Sequence, residues 1–90
     1  MISEAYLSTH DRIILECDSI KALLLEKNKK YGDSALNPSR IFSKSNTEEQ
    51  LRVRIDDKLT RIKNQQVNED EDVIQDLIGY LILYRIAQKK

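Results

Sequence analysis

The sequence predicts an all-α bundle of three main helices, at about residues 9–30, 48–64 and 69–88, with a long loop at 31–46. Three observations carry this. Apolar residues recur at spacings of three, four and seven, the period of one helix face. Capping residues stand where those periods begin. The chain holds only two Gly and one Pro, so little interrupts the helical pattern. The strand signal is weak, although Leu81 to Ile86 taken alone can be misread as one.

The first helix opens on Ser8-Thr9-His10-Asp11, a capping box with Ser8 as N-cap and Asp11 three residues on. Ile13, Cys17, Ile20 and Leu24 then form its apolar face, extended to Tyr31. Gly32 is placed to stop it, because glycine accepts the left-handed conformation past a helix end. Residues before Ser8 fit a short extra turn or helix. Tyr31 to Asn46 has no period and holds Gly32, Pro38, four Ser and the charges Asp33, Arg40 and Lys44. A structureless loop of this length inside a compact domain is uncommon and often functional. Ile41 and Phe42 are expected to pin it to the core.

Thr47-Glu48-Glu49-Gln50 is a second capping box, with Thr47 as N-cap and Gln50 reaching back. Leu51, Ile55, Leu59 and Ile62 give the second helix its apolar stripe. Gln65 to Asn68 reads as a polar connector. Glu69-Asp70-Glu71-Asp72 opens the third helix, where negative charge suits the positive end of the helix dipole. That helix is apolar nearly all round, through Val73, Ile74, Leu77, Ile78, Leu81, Ile82, Leu83 and Ile86. Such a helix must be buried on several sides. Two neighbours do not easily supply that, so a homo-oligomer is expected.

Ninety residues make one domain, 1–90, whose stability alone would be marginal. Fifteen basic and fifteen acidic residues balance to zero, so bulk charge does not favour a DNA or RNA duplex or a membrane surface. One cysteine rules out an internal disulfide framework and suits a reducing compartment. Cys17 reads as a buried structural thiol, the alternative being a reactive one. No basic segment followed by an apolar run opens the chain, and Leu77 to Leu83 is too short to span a bilayer. A cytoplasmic protein is expected. His10 has no Ser or Cys arranged beside it for nucleophilic catalysis, and no spacing suits zinc. It reads as a surface residue.

Three segments hold chemistry. Arg54, Lys58 and Arg61 lie four and three apart on the second helix, in a stripe bordering the apolar one. Basic groups at a core edge can hold phosphate through charge-assisted hydrogen bonds. The plainer alternative is that Asp57 and Arg61, four apart, simply pair. Lys27, Asn28 and Tyr31 lie at the end of the first helix. The lysines there also answer the helix dipole. Asn28 can donate and accept towards a base edge, and Tyr31 can stack on a base or pack in the core. Arg40 and Lys44 of the loop can close over such a ligand. On the third helix Asp72, Asp76 and Tyr80 rise at spacings of four. A carboxylate in an apolar region must be paired, hydrogen-bonded or bound to metal. Asp76 therefore pairs with Arg54 or Arg61 across the bundle, or shares a magnesium ion with Asp72.

These pieces together resemble the phage nucleotide modification associated domain family, related to the all-α nucleoside triphosphate pyrophosphatases of the MazG type. The matching pieces are Lys27-Asn28 with Tyr31-Gly32, then Phe42, then Arg54 to Arg61, then Asp72 with Asp76-Leu77 and Tyr80. They span about Leu24 to Ile86. The resemblance implies a helical bundle, oligomerisation, a phage or prophage origin and a nucleotide-type ligand. MazG-type enzymes hold magnesium through a Glu-Glu-x-x-Glu cluster on an early helix and a Glu-x-x-Asp pair on a later one. Here the first helix offers only scattered Glu16, Asp18 and Glu26, and the last offers Asp72 and Asp76 four apart. The metal-binding set is incomplete.

The leading expectation is therefore a homo-oligomer that binds a nucleotide or cyclic nucleotide without cleaving it and needs no cofactor. Arg54, Lys58 and Arg61 would hold phosphate, and Lys27, Asn28 and Tyr31 would hold sugar and base. By analogy with small oligomeric phage proteins, it would sequester a host immune signal. The alternative is a magnesium-dependent pyrophosphatase with Asp57, Asp72 and Asp76 as metal ligands. A third reading is an interaction module with no small ligand.

Overall fold

A computed structural model of the chain describes residues 6–65 and 70–89. Three helices run in order, α1 (Thr9–Tyr31), α2 (Thr47–Lys63) and α3 (Val73–Gln88), with no strand among the described residues. The all-α expectation and the helix count hold.

Each helix end has a local cause. Ser8 Oγ accepts from the Asp11 amide at 3.1 Å and donates to the Asp11 carboxylate at 2.8 Å, which is the expected first cap. Gly32 ends α1 in the left-handed region, at φ 60°. Asp33 follows it there at φ 52°. The second cap differs from expectation. Asn46, not Thr47, is the N-cap of α2, and its Oδ1 accepts from the Glu49 amide at 2.7 Å. Thr47 becomes the first helical residue, and its hydroxyl donates to the Leu36 carbonyl at 3.1 Å, tying loop to helix. α3 also begins later than expected. Asp72 is its N-cap, accepting from the Gln75 amide at 2.9 Å, so Asp70 and Glu71 stand outside the helix. Glu69, Gln66 to Asn68 and residues 1–5 lie outside the described residues, so the expectations placed on them go untested.

α2 and α3 form the main pair, and α1 leans on α3 over a smaller area. Arg52 near the start of α2 meets Tyr84 near the end of α3, and Arg61 near its end meets Glu71 just before α3. The two helices are therefore antiparallel. Lys27 late in α1 meets Asp76 early in α3, so α1 also runs against α3. Ile20, Leu51 and Ala87 are the only buried hydrophobic side chains among the described residues. Gly79 lets α1 approach α3: a Cβ there would lie 3.1 Å from Leu24 Cδ2.

Several core expectations fail. Ile41 and Phe42 do not pin the loop; they are 80% and 95% exposed. The loop is held instead by polar contacts such as Thr47 to Leu36. Cys17 is exposed, not buried: it lines an open groove between α1 and α3 in which Ile20 is buried. Ile13, Leu59 and Ile62 are also exposed. No helix among the described residues is long and apolar enough to cross a membrane.

Candidate functional site

A groove of about 1040 Å³ lies where the late part of α1, the following loop, α2 and the early part of α3 converge. It brings together Lys27, Asn28, Tyr31, Arg54, Asp57 and Asp76 from the expected set, with Tyr80 beside them. Helical phase explains the grouping. Lys27 and Tyr31 are four apart on α1, and Asp76 and Tyr80 four apart on α3, so each pair shares a face. Gly79 and the half-buried Leu24 also line the groove.

The basic stripe of α2 divides. Arg54 faces the groove, is exposed, and has no ion-pair or hydrogen-bond partner among the described residues. Lys58 and Arg61 do not line the groove. Lys58 is buried, with 8% of its surface exposed, and its Nζ donates to Glu71 Oε1 and lies 3.4 Å from Asp76 Oδ2. Arg61 donates to the other Glu71 oxygen and lies 3.3 Å from Asp57 Oδ2. Lys27 Nζ is 3.6 Å from Asp76 Oδ1. Six side chains thus form one chain of ion pairs, Lys27–Asp76–Lys58–Glu71–Arg61–Asp57, in which three cations meet three carboxylates. The expected pairing of Asp76 is present, but with Lys58 and Lys27 in place of Arg54 or Arg61.

Desolvation pushes the Lys58 pKa down, yet the Glu71 hydrogen bond and the charges of Asp76 and Glu71 outweigh it and hold Lys58 above its usual value. The Lys58 hydrogen bond, with the charges of Lys58 and Arg61, holds Glu71 below the usual carboxylate range despite the opposing desolvation. Both groups are therefore ionised across the neutral range.

At the α1 end of the groove, Asn28 Nδ2 donates to Asp33 Oδ1 at 3.1 Å, and Asn37 Nδ2 donates to Asp33 Oδ2. The left-handed turn at Gly32 and Asp33 makes that contact possible. Asn28 keeps its side-chain oxygen as an acceptor. Tyr31 is 60% exposed, so core packing is not its role in this chain. Lys30 Nζ lies over its ring at 5.4 Å. Arg40 and Lys44 lie outside the groove lining. Arg40 Nη2 donates to Thr47 Oγ1 at 3.3 Å, and Lys44 is exposed on the loop.

The carboxylates do not fit a metal centre. Asp72 caps α3, Asp76 is taken by two lysines, and Asp57 faces Arg61. Among the described residues no three His, Cys, Asp or Glu side chains converge on a point that could hold an ion. The magnesium set of Asp57, Asp72 and Asp76 is not assembled here.

Two features escaped the sequence reading. Glu71 looked like one more charge at a helix start, and only the late start of α3 turns it towards Lys58 and Arg61. Gln75, which lines the groove beside Gln50, gave no periodic signal, and Gln50 was legible only as part of a capping box. Comparison with protein-family models, with curated proteins and with solved structures finds no match to this chain.

Proposed function

We propose that the chain binds a nucleotide or cyclic nucleotide in the groove between α1, α2 and α3 and releases it intact. One observation carries this reading. Arg54, a guanidinium with no ion-pair or hydrogen-bond partner among the described residues, shares a groove of about 1040 Å³ with the exposed ring of Tyr31 and the amide of Asn28. That volume is at the upper end for small-molecule sites, on the order of 300–1,000 Å³, and has room for a base, a sugar and phosphate. Arg54 would hold a phosphate oxygen pair, Tyr31 would stack on the base, and the Asn28 oxygen would accept from a base amine.

The charges narrow the ligand. Asp33, Glu49, Asp57 and Asp76 also line the groove. Asp57 and Asp76 are compensated by the ion-pair chain and Glu49 by Arg52 at 3.2 Å, but Asp33 meets only amides. A triphosphate would bring several negative charges to a wall on which, among the described residues, Arg54 is the cation without an ion-pair partner. A cyclic phosphodiester, with one charge per phosphate, suits it best, followed by a monophosphate at about −1.5 to −2. The resemblance to the phage nucleotide modification associated domain family supports the same class of ligand. Sequestration of a nucleotide immune signal is the role that would follow in a phage setting.

The test is capture and release. The protein is mixed with linear, cyclic and ADP-ribose-derived nucleotides, with and without magnesium, and free ligand is followed by chromatography before and after heating. Depletion of a cyclic or monophosphate species and its intact return on heating is the expected result. Arg54→Glu should abolish depletion while leaving helicity unchanged. Return of cleaved products only with magnesium would overturn the reading in favour of a pyrophosphatase. Failure to deplete any of the panel would favour an interaction module.

A further inference from the structure

The chain is too exposed for its size. A folded monomer of 10.5 kDa is expected to present about 5,400 Å² of accessible surface, and this chain presents 7577 Å². Its radius of gyration is 15.5 Å, where a compact domain of this length has about 12 Å. The excess, roughly 2,100 Å² per chain by that same scaling, matches what one subunit loses in a large obligate interface. Part of it is concentrated. A second groove of about 500 Å³ runs between α1 and α3, and its walls are almost wholly aliphatic: Ile20, Leu25, Ile78, Ile82 and Ile86, with Cys17 among them. Leu25 is 63% exposed, Ile82 40% and Ile86 48%.

We propose that this α1–α3 groove is the contact face for a second copy of the same chain. The rim is self-complementary: Glu16 and Lys21, of opposite sign, flank the groove on α1. In a two-fold arrangement each copy offers both charges to the other, as an isologous contact requires. A helix face is also the right occupant. An aliphatic trough between two helices accepts the ridge of a third, and α1 carries exposed apolar residues for such a ridge in Ile13 and Cys17. The two grooves of the chain meet at Leu24, Asn28 and Leu83, which line both. A copy seated on the aliphatic groove therefore borders the first groove, and assembly would shape the site. This inference rests on surface and packing alone and stands apart from the ligand reading.

The experiment reads mass and Cys17 together on the full chain. Sedimentation gives the mass over a wide concentration range, and a thiol reagent reports access to Cys17, the only cysteine. The expected result is a mass of at least twice 10.5 kDa, with Cys17 modification slowed about tenfold or more and regained on dilution. Ile82→Lys should shift the species towards monomer and unmask Cys17. Should that variant fail to fold, Glu16→Lys, on the exposed rim, should weaken assembly and Glu16→Lys with Lys21→Glu should restore it. A helical monomer with a freely reactive Cys17 at every concentration leaves the groove to a different protein and overturns the proposal. A monomer with protected Cys17 means that the chain covers the groove itself and overturns it as well. An assembly in which Cys17 stays reactive places the contact on another face, with the same consequence.

Discussion

Replacing Lys58 by Met tests whether the ion-pair chain behind the groove stabilises the fold. Methionine keeps the aliphatic stem that packs between α2 and α3 and removes only the charge. Lys58 has 10% of its side chain exposed, and its ammonium faces Glu71 and Asp76 together. Breaking a clean buried pair typically costs about 3–5 kcal/mol, because the surviving charge is left uncompensated. Here neither carboxylate is orphaned: Glu71 keeps Arg61, and Asp76 keeps Lys27 at 3.6 Å. The loss should therefore fall to about 2 kcal/mol, above the roughly 0–1 kcal/mol of an exposed pair. In a domain of this length that corresponds to a fall in Tm of roughly 8–16 °C. The assay is thermal and urea unfolding followed by circular dichroism, at one fixed protein concentration so that assembly does not move the midpoint. Arg61→Gln, whose side chain is 36% exposed, should cost clearly less. A loss under about 0.5 kcal/mol for Lys58→Met, within the range of ordinary surface changes, would refute the reasoning. The network would then be a set of solvated pairs.

Stability should also follow pH in two limbs. Glu71 is held below its ordinary 4.5, so its contribution is complete above that value and is lost as pH falls through the lowered one. Lys58 is held above 10.5, so its contribution is complete below that value and is lost as pH rises through the raised one. Urea midpoints across pH should show a plateau between, and Lys58→Met should flatten both limbs. Gly79→Ala gains about 1 kcal/mol of helix propensity, while its Cβ presses on the end of the half-buried Leu24 side chain at 3.1 Å. Because that side chain can yield, thermal melts should show a small net stabilisation; a clear loss would mean that α1 is locked against α3. Asn46→Ala should cost about 1 kcal/mol by removing the cap on the Glu49 amide, and Thr47→Ala should leave that bond intact. Equal cap loss in both variants, read by denaturation, would contradict the assigned N-cap. Tyr31→Ala should weaken capture of an identified nucleotide by about 1–3 kcal/mol if the ring stacks on a base. Unchanged affinity in equilibrium dialysis would remove Tyr31 from the site.

The fold was largely legible because helices announce themselves locally. Ser8 with Asp11, Gly32, and the stripes through Ile20 and Leu51 are short-range signals, and each appears where the spacing put it. What escaped was set by contacts between elements. Asn46 in place of Thr47 is a shift of one residue: the Thr47 hydroxyl donates to the Leu36 carbonyl, and the Asn46 amide oxygen takes the cap. Cys17 and Ile13 follow the same apolar spacing as Ile20, yet of the three only Ile20 is buried. Periodicity marks a face as apolar without saying what covers it. The groove was half legible: Lys27, Asn28, Tyr31 and Arg54 converge, but the spacing of Arg54, Lys58 and Arg61 gave no sign that two of the three would turn away to Glu71.

That division of the basic stripe bears directly on selectivity. Had Lys58 and Arg61 faced the groove with Arg54, three cations would have drawn in any polyphosphate. Glu71 instead draws both away, and Asp76 holds Lys27 and Lys58 at once. The network is neutral as a unit, so its effect on the groove is chiefly to cancel the carboxylates of Asp57 and Asp76 that line the wall. Among the described residues that line the groove, Arg54 is left as the cation without an ion-pair partner. Removing Glu71 would release Lys58 and Arg61 from that bond. Glu71→Gln should then broaden binding towards more highly charged nucleotides even as it weakens the fold. A panel run with mono-, di- and triphosphates of one base reads this directly. If the variant gains affinity for none of them, the network does not govern which ligand the groove accepts.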